Sequence, residues 1–145
     1  MAEGWSVKEL SRENWAEAKS ILEPFDAIIH AAGDVRLDPI VSMRDFINSN
    51  LTITIDLLEL CKRTKASHFV FISSCAVYGD LPVSLESSPC DPKTLNGKIK
   101  LLNESLISEF CCSFDIQFSC LRLFNLVGGK DNFSIIYHIR QSIRK

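Results

Sequence analysis

At 145 residues, 46% of them hydrophobic and 23% charged, the chain has the balance of an ordinary soluble domain and enough apolar side chains for one core, so a single domain over residues 1–145 is expected. A net charge of −2 argues against nucleic-acid binding, because the one basic cluster, His138 to Lys145, reads as the solvated face of a last helix. No apolar run approaches the roughly 20 residues of a membrane span, the amino-terminal MAEGWSVKELSRE lacks an apolar signal core, and the six cysteines form no C-x-x-C pair, which together imply a soluble protein of the reducing cytoplasm.

Trp15, Ala18, Ile21 and Leu22 recur at helical spacing after Ser11, and Pro24 stops them, predicting a short amphipathic helix. The apolar run around 25–32 is too short for a typical helix and ends at Gly33-Asp34, so it reads as a buried parallel strand. Ser42 with Asp45 three places on opens a long helix that Phe46, Ile47, Leu57, Leu58 and Cys61 carry to about Arg63. A second strand follows at 68–74, then a proline- and serine-rich loop from Gly79 to Lys93 whose length suggests function. Thr94 caps a third helix to about Phe110, a third strand spans 115–123, and Asp131 or Asn132 opens a final helix. Strands alternating with helices predict an α/β fold, a partial Rossmann domain with a parallel sheet and helices on both of its faces.

Five stretches carry chemistry beyond this pattern. They are Asp26-Ala-Ile-Ile-His-Ala-Ala32, Asn50-Leu-Thr-Ile-Thr-Ile-Asp-Leu-Leu58, Phe69-Val-Phe-Ile-Ser-Ser-Cys-Ala-Val-Tyr-Gly79, the segment from Pro92 to Glu104, and Leu121-Arg-Leu-Phe-Asn-Leu-Val-Gly128. Ligands of open parallel sheets bind beyond the carboxyl ends of the strands, where the residues after Ile29 fall. Asn50 and Thr54 lie one turn apart on the face of Leu57 and Leu58, so both should point at the sheet and enter a polar network there.

In this order the stretches resemble the extended short-chain dehydrogenase/reductase family, in its nucleotide-sugar epimerase and dehydratase branch. The third resembles that family's S-S-x-x-V-Y-G strand end, and the fourth its P-x-x-x-Y-G-x-x-K-x-x-x-E segment at Pro92, Gly97, Lys100 and Glu104. The resemblance implies that NAD or NADP contacts His30, Ala31, Ala32, Asn50, Ser73 and Lys100. It implies that Ser74 bonds the reacting oxygen of a nucleotide-sugar substrate and that Asn125 is a further substrate contact. Where the family carries its catalytic tyrosine this chain has Asn96, one turn before Lys100 and about 6 Å from it along the helix. An amide neither releases nor accepts a proton near neutral pH, so Lys100 keeps a binding task while the proton-transfer task falls vacant.

The family's glycine-rich turn after its first strand has no counterpart here, and neither does its carboxy-terminal substrate part. The expectation is therefore a truncated or degenerate copy, weak or inactive alone, with the first strand here left as an open edge prone to association. The alternative expectation is a non-enzymatic partner of a full-length relative, joined through helices 42–63 and 94–110 as a homo- or heterodimer.

Overall fold

The computed structural model describes residues 4–34, 42–126, 139, 142 and 143. In chain order it contains a 3₁₀ turn (Trp15–Ser20), strand β1 (Ala27–His30), helix α1 (Met43–Ile47), a π-helical turn (Asn48–Thr52), helix α2 (Ile53–Arg63), strand β2 (His68–Ser74), a second 3₁₀ turn (Cys75–Tyr78), helix α3 (Leu95–Ser113) and strand β3 (Gln117–Leu123). The final helix expected from Asp131 or Asn132 lies outside the described residues, apart from helical positions 139, 142 and 143.

The three strands form one parallel sheet in the order β1-β2-β3, with Ala27 opposite His68, His30 opposite Phe71 and Ser74 opposite Leu123. All carboxyl ends therefore lie at one edge of the layer. Alternate side chains of β1 and β2, namely Ile28, Phe69 and Phe71, meet Leu57, Leu58 and Cys61 of α2 and Ile107 and Cys111 of α3 in a single core. Both helices thus cover the same face. Coverage of the opposite face was expected as well, but among the described residues it retains exposed apolar groups: Ile29 is 67% and Leu121 44% exposed.

Local chemistry explains the helix bounds. Ser42 Oγ accepts the Asp45 N–H at 3.1 Å and so satisfies one orphan donor at the start of α1. Thr94 Oγ1 does the same for Gly97 N–H at 3.1 Å, as the sequence predicts. Helices α2 and α3 end alike, with Lys65 and Asp115 at positive φ and with Ala66 N–H and Ile116 N–H reaching back to Cys61 O and Cys111 O. That left-handed exit is why β3 starts at Gln117 rather than at 115. The predicted helix near Trp15 is only a 3₁₀ turn. Asn14 spends its side chain on Ser11 N–H and Glu9 O in the preceding segment instead of capping the turn that Trp15 opens. Asn50 and Asn103, each in an N-x-S/T triplet, are buried, so neither is a glycan acceptor in the folded chain.

The start of α3 sits directly on the 3₁₀ turn that follows β2. A Cβ at Gly97 would lie 2.5 Å from the Ala76 carbonyl oxygen, a contact with backbone that cannot yield cheaply. Gly97→Ala is expected to lower the unfolding free energy by about 1–3 kcal/mol, the usual cost of overpacking. Urea denaturation measures this, and a midpoint equal to that of the unsubstituted protein contradicts the contact.

Candidate active site

Beyond His30 the chain leaves the sheet through Ala31–Asp34, and a buried amide holds that turn. Asn50, in the π-helical turn, donates from Nδ2 to Asp34 O at 3.0 Å and to Phe46 O at 2.9 Å, while its Oδ1 accepts Asp34 N–H at 3.2 Å. One side chain thus satisfies both backbone groups of Asp34. The adjoining Gly33 has φ +150, and a Cβ there would stand 2.9 Å from Asn50 Oδ1, so only glycine fits.

The same Asn50 is held from behind. Its carbonyl accepts Thr54 Oγ1 at 2.9 Å and Asn103 Nδ2 at 3.2 Å. Because the Thr54 proton is committed there, Thr54 Oγ1 accepts from His30 Nε2 at 2.9 Å, which fixes a neutral imidazole protonated on Nε2. His30 Nδ1 is then a buried lone pair with no partner among the described residues. Burial, and secondarily the charge of Lys100, push the His30 pKa down to about 4.

Lys100 comes to the same place from α3. Its Nζ donates to Ile72 O at 2.8 Å, lies 4.6 Å from the Phe71 ring centroid, and would be 4.0 Å from a Cβ on Gly33. Desolvation lowers its pKa, opposed by the Glu104 carboxylate. Ser74 ends β2 two residues beyond Ile72; it is half-buried, and its Oγ accepts Ala76 N–H at 3.2 Å. Asn96 stands one turn before Lys100, with its Oδ1 buried and unpartnered among the described residues.

Other residues singled out from sequence stand differently. Ala31 and Ala32 are exposed and, with Gly33, Leu10, Arg12 and Trp15, line a cleft of about 360 Å³. Ser73 is buried on the helix-covered face, its hydroxyl donating to Glu104 Oε1. Glu104 in turn binds Arg122, which donates from Nε at 3.2 Å and from its terminal amine at 2.8 Å, and whose guanidinium lies over the Tyr78 ring. Asn125 is exposed just past β3 and makes no contact with the Asn50 and Lys100 group among the hydrogen bonds of the described residues. Sequence reasoning missed the roles of Asn103, Gly33 and the Ser73–Glu104–Arg122 chain. The available signal was polar residues set inside apolar runs, such as Arg122 between two leucines.

A parallel sheet with helices against it and a largely apolar cleft past the carboxyl end of β1 is a Rossmann-like α/β architecture. Residues 6–144 match the model of the NAD dependent epimerase/dehydratase family, and the chain belongs to that family. It is 31% identical over 113 residues to a probable UDP-arabinose 4-epimerase of Arabidopsis thaliana, covering 72% of this chain and 26% of the relative. It is 29% identical over 117 residues to a UDP-glucose 4-epimerase of Lactobacillus helveticus, covering 78% and 35% respectively. The crystal structure of UDP-glucuronic acid 4-epimerase from Bacillus cereus, in complex with UDP-glucuronic acid and NAD, superposes with a TM-score of 0.71 at 26% identity, over 82% of this chain and 40% of that one. The chain thus spans between about a quarter and two-fifths of the lengths of these relatives.

The buried imidazole makes stability depend on pH. Its pKa is about 4 in the fold against 6.5 when exposed, so the unfolded chain binds the proton more tightly between those values. This contribution is complete above pH 6.5 and is lost as pH falls toward 4, by about 3 kcal/mol in all. His30→Asn should flatten the fall in urea-unfolding free energy between pH 7 and 4 relative to the unsubstituted protein; parallel curves contradict the assignment.

Proposed function

We propose that this chain forms the part of a nucleotide-sugar-modifying enzyme that faces the dinucleotide and the reacting sugar, with its proton-transfer position occupied by an amide. The observation that carries this reading is the half-buried Lys100 ammonium beside Gly33, at the end of the sheet where the strands' carboxyl termini meet. The residues fit NAD or NADP. Gly33 lets the Asn50 amide and the Lys100 ammonium approach the chain closely, Lys100 supplies a positive donor, and the cleft along Ala31 and Ala32 has the size of a ligand subsite.

When bound, the nicotinamide supplies the hydride acceptor or donor. Ala31 and Ala32 line its crevice, the buried His30 and Asn50 support that wall from behind, and Lys100 binds ribose hydroxyls. Ser73 acts from beneath, since its bond to Glu104 fixes the strand end that carries Ser74. Ser74 hydrogen-bonds the reacting sugar oxygen, a task suited to a hydroxyl that both donates and accepts. Asn125 offers a further contact to the nucleotide sugar. Asn96 occupies the position of the proton carrier without being able to act as one, so the chain binds better than it turns over.

A second reading is a partner role through helices 42–63 and 94–110. It is favoured by exposed Ile55 and Leu102 on α2 and α3, at 44% and 49%. Sedimentation with and without a full-length relative tests it, and a monomer in both conditions excludes it.

For the first reading, calorimetry should detect NAD binding to the chain and its loss in Lys100→Ala. With NAD and UDP-glucose present, Asn96→Tyr should raise nicotinamide reduction by about a hundredfold or more over the unsubstituted chain. An unsubstituted protein that binds no NAD overturns the reading; binding without a gain in Asn96→Tyr overturns the role given to position 96.

A further inference from the structure

The hydrogen bonds around Asn50 converge from three elements, and one of the donors has no stated task. Asn103 lies on α3, is 2% exposed, and donates through Nδ2 to the Asn50 carbonyl. Its Oδ1 is buried without a partner among the described residues. A half-satisfied amide on the buried face of α3 opposes stability, because the bare oxygen loses its hydration for nothing. Leucine at this position would remove that cost. The amide must therefore act through what it does satisfy.

What it satisfies is the backbone of a π-helical turn, a rare form that is frequent at functional sites. There the Asn50 carbonyl takes two side-chain protons, one from Thr54 of α2 and one from Asn103 of α3. With the carbonyl pinned from both helices, the Asn50 side chain is aimed forward at Asp34, where it closes the turn at Gly33. We infer that Asn103 is a positioning residue: through the Asn50 carbonyl it fixes the clamp that shapes the Gly33–Asp34 turn, and so tunes the affinity of that turn for a dinucleotide. The part concerning affinity rests on the proposed dinucleotide site; the part concerning the clamp does not.

Asn103→Leu separates this role from a merely structural one. A structural amide would show itself only in the melting temperature, whereas the positioning role predicts a protein as stable as the original or more so, with a looser turn. The Asp34 amide, which donates to Asn50 Oδ1, should exchange its hydrogen about tenfold faster or more, while the amides of Phe69 and Phe71 keep their protection. NAD affinity, read by calorimetry, should weaken about tenfold. Asn103→Ala, which also lacks the donor but leaves a cavity, should loosen Asp34 to the same degree and serves if the leucine variant does not fold. Unchanged Asp34 exchange in the folded variant overturns the proposal, as does a faster exchange spread evenly over the sheet. If the unsubstituted protein binds no NAD, the dinucleotide reading fails and with it the affinity part, while Asp34 exchange still decides the clamp.

Discussion

The parallel register of the three strands is the constraint on which the rest depends. With His30 beside Phe71 and Ser74 beside Leu123, every strand runs out at the same end, and each connecting helix must return across the layer before the next begins. The turn after β1, the serine pair that closes β2 and the exposed Asn125 after β3 are gathered at that end by topology alone. A slip of one residue in β2 would turn Phe69 and Phe71 out of the core and Ile72 into it, so the apolar pattern that stabilises the sheet also fixes where Ser73 and Ser74 face.

Two polar chains cross the helix-covered face, and they have different characters. The Ser73–Glu104–Arg122 chain pairs a buried carboxylate with a guanidinium through several donors and leaves little unsatisfied. It ties β2, α3 and β3 into one unit. The His30–Thr54–Asn50–Asn103 chain is uncharged and ends in bare acceptors at His30 Nδ1 and Asn103 Oδ1. An apolar core would be more stable at those positions. The first chain is architectural, while the second gives up stability to hold the turn that flanks the crevice.

The framework was legible because its signals are periodic. Short apolar runs marked the strands, and Ser42 and Thr94 announced two helix starts through the chemistry of their hydroxyls. The face of Asn50 and Thr54 also followed from spacing, and both are buried as that spacing requires. What was hidden depends on contacts between segments distant in sequence. Asn103 finds Asn50 across 53 positions, and Ser73 finds Glu104 across 31, which no local window contains. The π-helical turn was equally invisible, since Asn48–Thr52 sits within a helical pattern that continues on both sides. Near Trp15 the periodicity overstated the helix, because the Asn14 side chain was engaged by the preceding loop.

The central claim is that a dinucleotide meets this chain at the carboxyl end of its sheet. Titration of NAD into isotope-labelled protein, followed by backbone amide resonances, tests it most directly. The account predicts that the largest shifts fall at Ala31–Asp34, Ser74 and Lys100, with the opposite end of the sheet at Ala27, His68 and Gln117 unmoved. Shifts centred on that opposite end, or none at saturating NAD, would contradict it.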